Sequence, residues 1–214
     1  MFVSDWMATK VMSLAPDNTA ADALSLMKEK RIHHLPIVTL DKLVGILSDR
    51  DLREFIPAKS STLDVYAVHY LPAKTKLKEI MKTELITTTS DTPLENAAMV
   101  MLDRDIGCLP VVDGGKLIGI ITDKDIFSAL VDITGVRHRG HRVDVTLEDR
   151  PGSIQELADI IRRHGFRLRS ILTSYEGIKD GYRDVVIRTG GEGNFEGLKK
   201  ELEKAYQNTR IRTE

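Results

Sequence analysis

Gly45-Ile46-Leu47-Ser48-Asp49-Arg50-Asp51 recurs 74 residues later as Gly119-Ile120-Ile121-Thr122-Asp123-Lys124-Asp125. In each copy an apolar, strand-like run reaches a hydroxyl residue. Three positions later an aspartate stands in the opening turn of a helical pattern. Two readings of that spacing stay open. In the first, Ser48 or Thr122 is a helix cap and Asp51 or Asp125 completes a capping box. In the second, the hydroxyl and the free backbone N–H groups of a helix start hold a phosphate, while the aspartate accepts hydrogen bonds from two ribose hydroxyls. The two are compatible, because both need a carboxylate and a hydroxyl at one helix start.

The repetition extends well beyond the heptapeptide. Residues 7–53 align with 81–127 without a gap, so that Met7 meets Met81, Met27 meets Met101 and Leu35-Pro36 meets Leu109-Pro110. A unit of about 50 residues is too small to bury a large core alone, so two copies are expected to pack as one module. Each copy reads as a short helical lead-in (3–7, 77–81), a strand (11–14, 85–89), a helix, a hairpin and a second helix. The helix carries Ala23, Leu24 and Met27, or Ala97, Ala98 and Met101, at helical spacing toward the core. In the second copy Thr92-Pro93-Leu94-Glu95 predicts a cap, a proline at the first helical position and a box glutamate. The hairpin strands are 35–38 with 44–47, and 109–112 with 118–121, the latter turning at Asp113-Gly114-Gly115. Between the copies, residues 62–71 repeat Leu63, Tyr66, Ala67 and Tyr70 at helical spacing and predict a connecting helix.

This order, with Leu-Pro-h-Val strands (h apolar) and the Gly-h-h-Ser/Thr-x-x-Asp close, resembles the CBS domain in the tandem arrangement called a Bateman module. The resemblance covers residues 1–131: repeat one 1–56, connecting helix 57–76, repeat two 77–131. It implies a cleft that takes an adenosyl ligand such as AMP, ADP, ATP, NAD or S-adenosylmethionine. By position, it implies that Ser48 and Thr122 contact phosphate, that Asp51 and Asp125 hold ribose hydroxyls, and that Ser13 and Thr87 flank adenine. Arg31, His33, His34 and Arg53 in the first copy face Asp105, Gly107, Cys108 and Phe127 in the second. A polyphosphate needs cationic partners, so the first site is expected to suit one, with Lys124 the corresponding candidate in the second. His33 and His34 as plain packing residues at a strand start remain the alternative.

From Arg142 the pattern changes. Val143, Val145 and Leu147 alternate as a half-buried strand, and Pro151-Gly152-Ser153 turns into a helix with Ile154, Leu157, Ile160 and Ile161 on one face. Gly165 is expected to end it. Strands at 168–174 and 182–189, a helix over 195–206 and a strand at 209–212 complete βαββαβ, the ferredoxin-like order. Gly191-Glu192-Gly193-Asn194-Phe195-Glu196-Gly197 has its third glycine one residue too late for a dinucleotide turn and reads as a loop. The opening Val-x-Leu-Glu-Asp-Arg-Pro-Gly-Ser-Ile-x-Glu-Leu-Ala resembles the ACT domain, here residues 142–214 after a linker at 132–141. That resemblance implies edge-to-edge pairing into a homodimer and an amino-acid effector at Asp149, Gly152 and Ser153. Glycine lets a ligand approach the backbone, and a helix start attracts a carboxylate. A tight turn in a domain serving dimerisation alone is the competing reading.

The fold class expected is therefore α+β, with two β-α-β-β-α repeats followed by a ferredoxin-like ACT domain. Together these modules resemble the AcuB acetoin-utilisation protein family. They imply a freestanding allosteric regulator of a metabolic enzyme, in acetoin or related carbon metabolism. No catalytic constellation is present: there is no Gly-x-Ser-x-Gly elbow, His-Glu-x-x-His or P-loop. Cys108 sits inside an apolar strand, where an inert thiol is expected. No metal site is expected either, since the His138 and His141 pair lacks thiolate or carboxylate partners. No cofactor is expected beyond the regulatory nucleotide.

The 214 residues carry a net charge of −1, 42% hydrophobic residues and a single cysteine. No apolar run approaches the roughly 20 residues that cross a bilayer, so no membrane partner is expected. Met1-Phe2-Val3-Ser4-Asp5-Trp6-Met7 has neither the basic start nor the apolar core of a signal peptide, which points to a reduced cytoplasm. Charge is unevenly spread, with 16 basic and 13 acidic residues from Arg137 onward, a net +3 against −4 before it. Neither value is the footprint of a dedicated nucleic-acid binder. The basic stretch Arg137-His138-Arg139-Gly140-His141-Arg142 leaves a nucleic-acid-linked regulator as an alternative.

Overall fold

The computed structural model describes residues 1–55, 72–206 and 208–213. The expected connecting helix at 62–71 lies outside them. Two compact units divide the chain, Met1–Ile126 and Phe127–Glu214.

In the first unit a single 3₁₀ turn at Val3–Asp5 precedes α1 (Ala20–Lys30), the hairpin β1 (His34–Thr39) and β2 (Lys42–Ser48), and α2 (Asp49–Phe55). The second copy repeats this with α3 (Leu77–Ile80), α4 (Leu94–Arg104), β3 (Cys108–Asp113), β4 (Lys116–Thr122) and α5 (Asp123–Thr134), whose residues from Phe127 onward belong to the second unit. The last turn of α5 takes up residues 132–134, which the sequence had assigned to the linker. Both hairpins are antiparallel in the same register, with His34 opposite Ser48 and Cys108 opposite Thr122.

Two local expectations change. Residues 11–14 and 85–89 form no strand, only the single parallel bridges Leu14–Ile37 and Thr88–Val111. Leu14 donates to the Pro36 carbonyl and accepts from Val38 N–H, and Thr88 does the same with Pro110 and Val112. One ladder step further, the donor would have to be the N–H that Pro36 or Pro110 lacks, so pairing stops there. The start of α4 also differs. Pro93 itself holds the cap position with an extended ψ of 137° and makes no side-chain cap, while Thr92 accepts from Thr89 N–H. In α1 the equivalent position is Thr19, which accepts from Asp22 N–H at 3.2 Å and donates its own N–H to the Asp22 carboxylate at 2.8 Å.

Each lead-in packs on the other copy. Leu77 is fully buried in the cluster of Ala23, Met27, Leu35, Ile37, Leu47 and Leu52, all of repeat one. Val3 and Ser4 in turn donate to the Thr92 and Ser90 carbonyls of repeat two. The exchange continues as paired backbone bridges, Ala8 with Ile120 and Lys82 with Ile46, each made of two hydrogen bonds of 2.9–3.0 Å. It also explains the glycine of the heptapeptide. A Cβ on Gly45 would lie 2.3 Å from the Met81 sulfur, and one on Gly119 would lie 2.5 Å from the Met7 sulfur.

The second unit contains β5 (His141–Glu148), α6 (Ser153–Arg163), β6 (Arg167–Ser174), β7 (Tyr182–Gly190), α7 (Phe195–Ala205) and β8 (Arg210–Thr213). The strands form one antiparallel sheet in the order β6-β7-β5-β8. Val143, Val145, Leu147, Val185 and Ile187 alternate onto the face that buries Leu157, Ile161, Leu198 and Leu202 of the two helices. Gly165, at φ 90°, follows the last turn of α6. Residues 191–194 are a loop, but α7 begins at Phe195, where the Asn194 side chain caps Gly197 N–H at 2.9 Å. Among the described residues no helix is long and apolar enough to cross a membrane.

The Met–Gly contacts give a stability test. Gly45→Ala should destabilise the first unit by about 1–3 kcal/mol, the usual range for overpacking. Adding Met81→Ala should recover part of that loss, because residues in contact couple by roughly 0.5–3 kcal/mol. Urea unfolding of the two single variants and the double variant measures it; strictly additive losses would refute the contact.

Candidate functional site

The two heptapeptides place the same constellation at the ends of β2 and β4. In repeat one, Ser48 N–H and Oγ both donate to Asp51 Oδ2, at 2.8 and 2.5 Å, and Asp51 N–H donates back to Ser48 Oγ at 3.1 Å. In repeat two, Thr122 N–H and Oγ1 donate to Asp125 Oδ2 at 2.8 and 2.7 Å. The reciprocal capping box is present in repeat one, and its carboxylate half in repeat two. It consumes one carboxylate oxygen of each aspartate and leaves the other, Oδ1, directed elsewhere.

That second oxygen distinguishes the copies. Asp51 Oδ1 pairs with the Lys82 ammonium at 2.7 Å, and its side chain is only 14% exposed. Burial pushes the Asp51 carboxyl up, but the hydrogen bonds from Lys82 and Ser48 outweigh it and hold the group below the ordinary aspartate value. Lys82 comes from the lead-in of repeat two, carried to Ile46 by the exchanged bridge. Its partner by repeat symmetry is Ala8, bridged to Ile120 beside Asp125. Among the described residues no ion pair reaches Asp125.

The cationic candidates of the first copy gather around a different carboxylate. His33 Nδ1 lies 3.1 Å from Asp49 Oδ2, and the Arg53 guanidinium donates to the same oxygen. Burial raises the Asp49 carboxyl, while His33 and Arg53 lower it further, to a net position below the ordinary value. His34 opens β1 opposite Ser48 and approaches repeat two, where a Cβ on Gly107 would meet its ring at 3.3 Å. Burial depresses the His34 imidazole against the opposing pull of Asp123 and Asp49, which favours the uncharged ring near neutral pH. Cys108, its counterpart, is buried, and burial with the nearby Asp123 charge pushes its thiol up to about 12. At neutral pH it carries no thiolate to attack with. Ser13 is half-buried beside the Leu14 bridge, and Thr87 is exposed beside the Thr88 bridge. Arg31 is exposed, in a left-handed conformation at the end of α1. Lys124 is exposed, and its backbone N–H bonds Asp123.

In the second unit the structure gathers Asp149 and Ser153 around Arg183, a residue the sequence did not single out. Arg183 Nη2 donates to Ser153 Oγ at 2.9 Å and Nη1 lies 3.4 Å from Asp149, while Nε is buried without a partner. Gly152 is left-handed at φ 88° with open space where a Cβ would point. Ser153 lines a groove of about 1030 Å³ with Arg150, Glu156, Lys179, Tyr182 and Tyr206. Arg150 spans Glu156 in a two-pronged pair of 2.7 and 2.8 Å, so the groove presents both signs of charge. Among the described residues no group of three or more His, Cys, Asp or Glu side chains could hold a metal ion.

A family model, the CBS domain, matches residues 3–58 and 77–132, more than half of the chain. Three solved structures are similar. An acetoin utilization protein (AcuB) from Vibrio cholerae is 34% identical, with a TM-score of 0.53 over 64% of this chain and 95% of that one. The CBS domain pair of protein MJ0100, in complex with 5-methylthioadenosine and S-adenosyl-L-methionine, is 26% identical, with a TM-score of 0.51 over 61% and 99%. CBSX2 in complex with AMP is 30% identical, with a TM-score of 0.53 over 62% and 97%. CBS pairs related to this one therefore bind adenine nucleotides and adenosyl compounds. With both copies matched over more than half of the chain, and with a hydroxyl and an N–H donating to the same aspartate oxygen in each heptapeptide, the chain belongs to the CBS domain family.

Proposed function

We propose that the chain is a regulatory sensor of an adenine nucleotide or adenosyl compound, acting on a metabolic partner rather than catalysing a reaction. The carrying observation is that both repeats present a hydroxyl and a carboxylate at one strand–helix junction, in a family whose relatives hold AMP and S-adenosylmethionine. Ser48 and Thr122 are assigned to phosphate, and Asp51 and Asp125 to the ribose diol. Arg31, His33, His34 and Arg53 line the first site, Lys124 the second, and Ser13 and Thr87 flank the base. The likeness to AcuB supports acetoin or related carbon metabolism as the setting, and the single buried cysteine suits a reducing cytoplasm.

We read residues 142–214 as an ACT module that pairs two chains edge to edge. Its βαββαβ order and open Gly152 turn support this, and the mixed charge of the groove beside Ser153 suits a zwitterionic amino acid. Arg183 and Ser153 would receive the carboxylate.

Thermal unfolding against AMP, ADP, ATP, NAD and S-adenosylmethionine tests the sensor reading, with Asp51→Ala and Asp125→Ala alongside. A ligand at a hundredfold its Kd stabilises by ~2.7 kcal/mol, or roughly 5–10 °C at this size. A shift with one ligand, lost in one variant, identifies the site that holds it. No shift with any of the five refutes nucleotide sensing and leaves the heptapeptides as helix caps.

One observation favours a second reading, an anionic partner such as nucleic acid. In the second unit Arg142 stands directly opposite both Arg188 and Arg212 on neighbouring strands. Arg137, Arg139, Arg167, Arg169 and Arg212 are exposed and make no ion pair among the described residues. Arg142 is itself paired with the Asp144 carboxylate, so the charge suited to an anion from outside is that of these exposed arginines. On this reading, binding to mixed-sequence RNA or DNA weakens steeply from 50 to 200 mM salt, and Arg212→Ala with Arg139→Ala flattens the slope. Absence of binding at low salt refutes it.

A further inference from the structure

The two clefts, assigned above as nucleotide sites, are related by a gapless internal repeat and yet differ at Asp51 and Asp125 in the charged group that reaches the carboxylate. Lys82 belongs to the lead-in of repeat two, and the exchange of lead-ins delivers it to the carboxylate of repeat one. The equivalent lead-in residue at the other cleft is Ala8. Asp51 thereby has both oxygens engaged: Oδ2 by Ser48 and Oδ1 by the ammonium at 2.7 Å. Asp125 has Oδ2 engaged by Thr122 and no ion pair on Oδ1 among the described residues.

A vicinal diol binds a carboxylate by donating two hydrogen bonds, and it competes with any cation already there. At Asp51 the diol must displace or share an ammonium that pairs with a largely buried carboxylate. A ligand that brings an anionic group of its own offers that ammonium a new partner, so the charge is exchanged rather than stripped. A ligand without one must either share the carboxylate oxygen with Lys82 or displace the ammonium into solvent with no new partner. At Asp125 neither demand arises.

Resting on the nucleotide reading above, we propose that Lys82 sets the ligand class of the two clefts: the Asp51 cleft selects adenosyl ligands that carry phosphate or another anionic group. The Asp125 cleft accepts uncharged adenosines equally well. Lys82 is thus a specificity residue of the Asp51 cleft, contributed by the opposite repeat. Because Lys82 is two-thirds exposed, the discrimination is modest, about two- to fivefold, as for a well-placed but solvent-screened ion pair.

Calorimetric titration of AMP and adenosine into single-site proteins tests this. Asp125→Ala leaves the Asp51 cleft, and Asp51→Ala leaves the other. The AMP-over-adenosine affinity ratio in the Asp125→Ala protein should exceed that in the Asp51→Ala protein by about two- to fivefold. Adding Lys82→Met to Asp125→Ala should tighten adenosine about two- to fivefold, weaken AMP, and so narrow the difference. Equal ratios in the two single-site proteins overturn the proposal, as does an adenosine affinity that ignores Lys82→Met. A separate reading needs no ligand: Lys82→Met should raise the Asp51 carboxyl titration followed by NMR, and an unmoved titration removes the ion pair and the proposal with it. If neither adenosine nor AMP binds while the NMR titration moves, the ion pair stands and the nucleotide reading is what fails.

Discussion

The exchange of lead-ins between the repeats is the constraint on which the first unit depends. A repeat of this size cannot enclose its own apolar face, and here Leu77 of one copy completes the core of the other. The backbone bridges at Ile46 and Ile120 fix where each lead-in lies, and the methionine that follows the turn presses on a glycine of the opposite strand. Gly45 and Gly119 therefore answer to residues in the other copy, not to turns of their own.

The same exchange decides the electrostatics of the clefts. Asp51 and Asp125 are each held by a hydroxyl and an N–H three residues earlier, so the cap orients the carboxylate before any ligand arrives. An oriented acceptor loses little side-chain freedom when it takes a further bond, so on the proposed nucleotide reading one aspartate would serve as both structural cap and binding group. What surrounds the carboxylate is then set by whichever side chain the other repeat supplies, a lysine in one case and an alanine in the other.

Much of this was legible in the sequence. The gapless repeat gave the two hairpins and their helices, and the alternation of Val143, Val145 and Leu147 gave the strand that buries them. Three features were not legible, for physical reasons. A proline placed one ladder step from Leu14 or Thr88 truncates a strand that local apolar pattern alone predicts. Pro93 displaces the cap that Thr92 was expected to provide, because its extended backbone lies outside the helix. Lys82 and Arg183 act at a distance in sequence: one lies 31 residues from Asp51 and the other 30 residues from Ser153. No local motif marks them, since their roles arise only when strands and lead-ins cross.

That crossing also bears on regulation. Allostery requires a ligand to interact differently with two arrangements of the chain. A ligand drawing Lys82 away from Asp51 would act on a segment whose backbone pairs with Ile46 and whose neighbours Leu77 and Met81 are packed into repeat one. That segment continues directly into repeat two, so a displacement at the first cleft is delivered to the start of the second without passing through solvent. At the other cleft, Ala8 offers no charge to pull, although Met7 beside it packs on Gly119. On the proposed nucleotide reading, charge exchange at the Asp51 cleft would bear on the lead-in of repeat two, and because coupling between two binding sites is reciprocal, occupancy of the Asp125 cleft would change affinity at the Asp51 cleft by the same free energy.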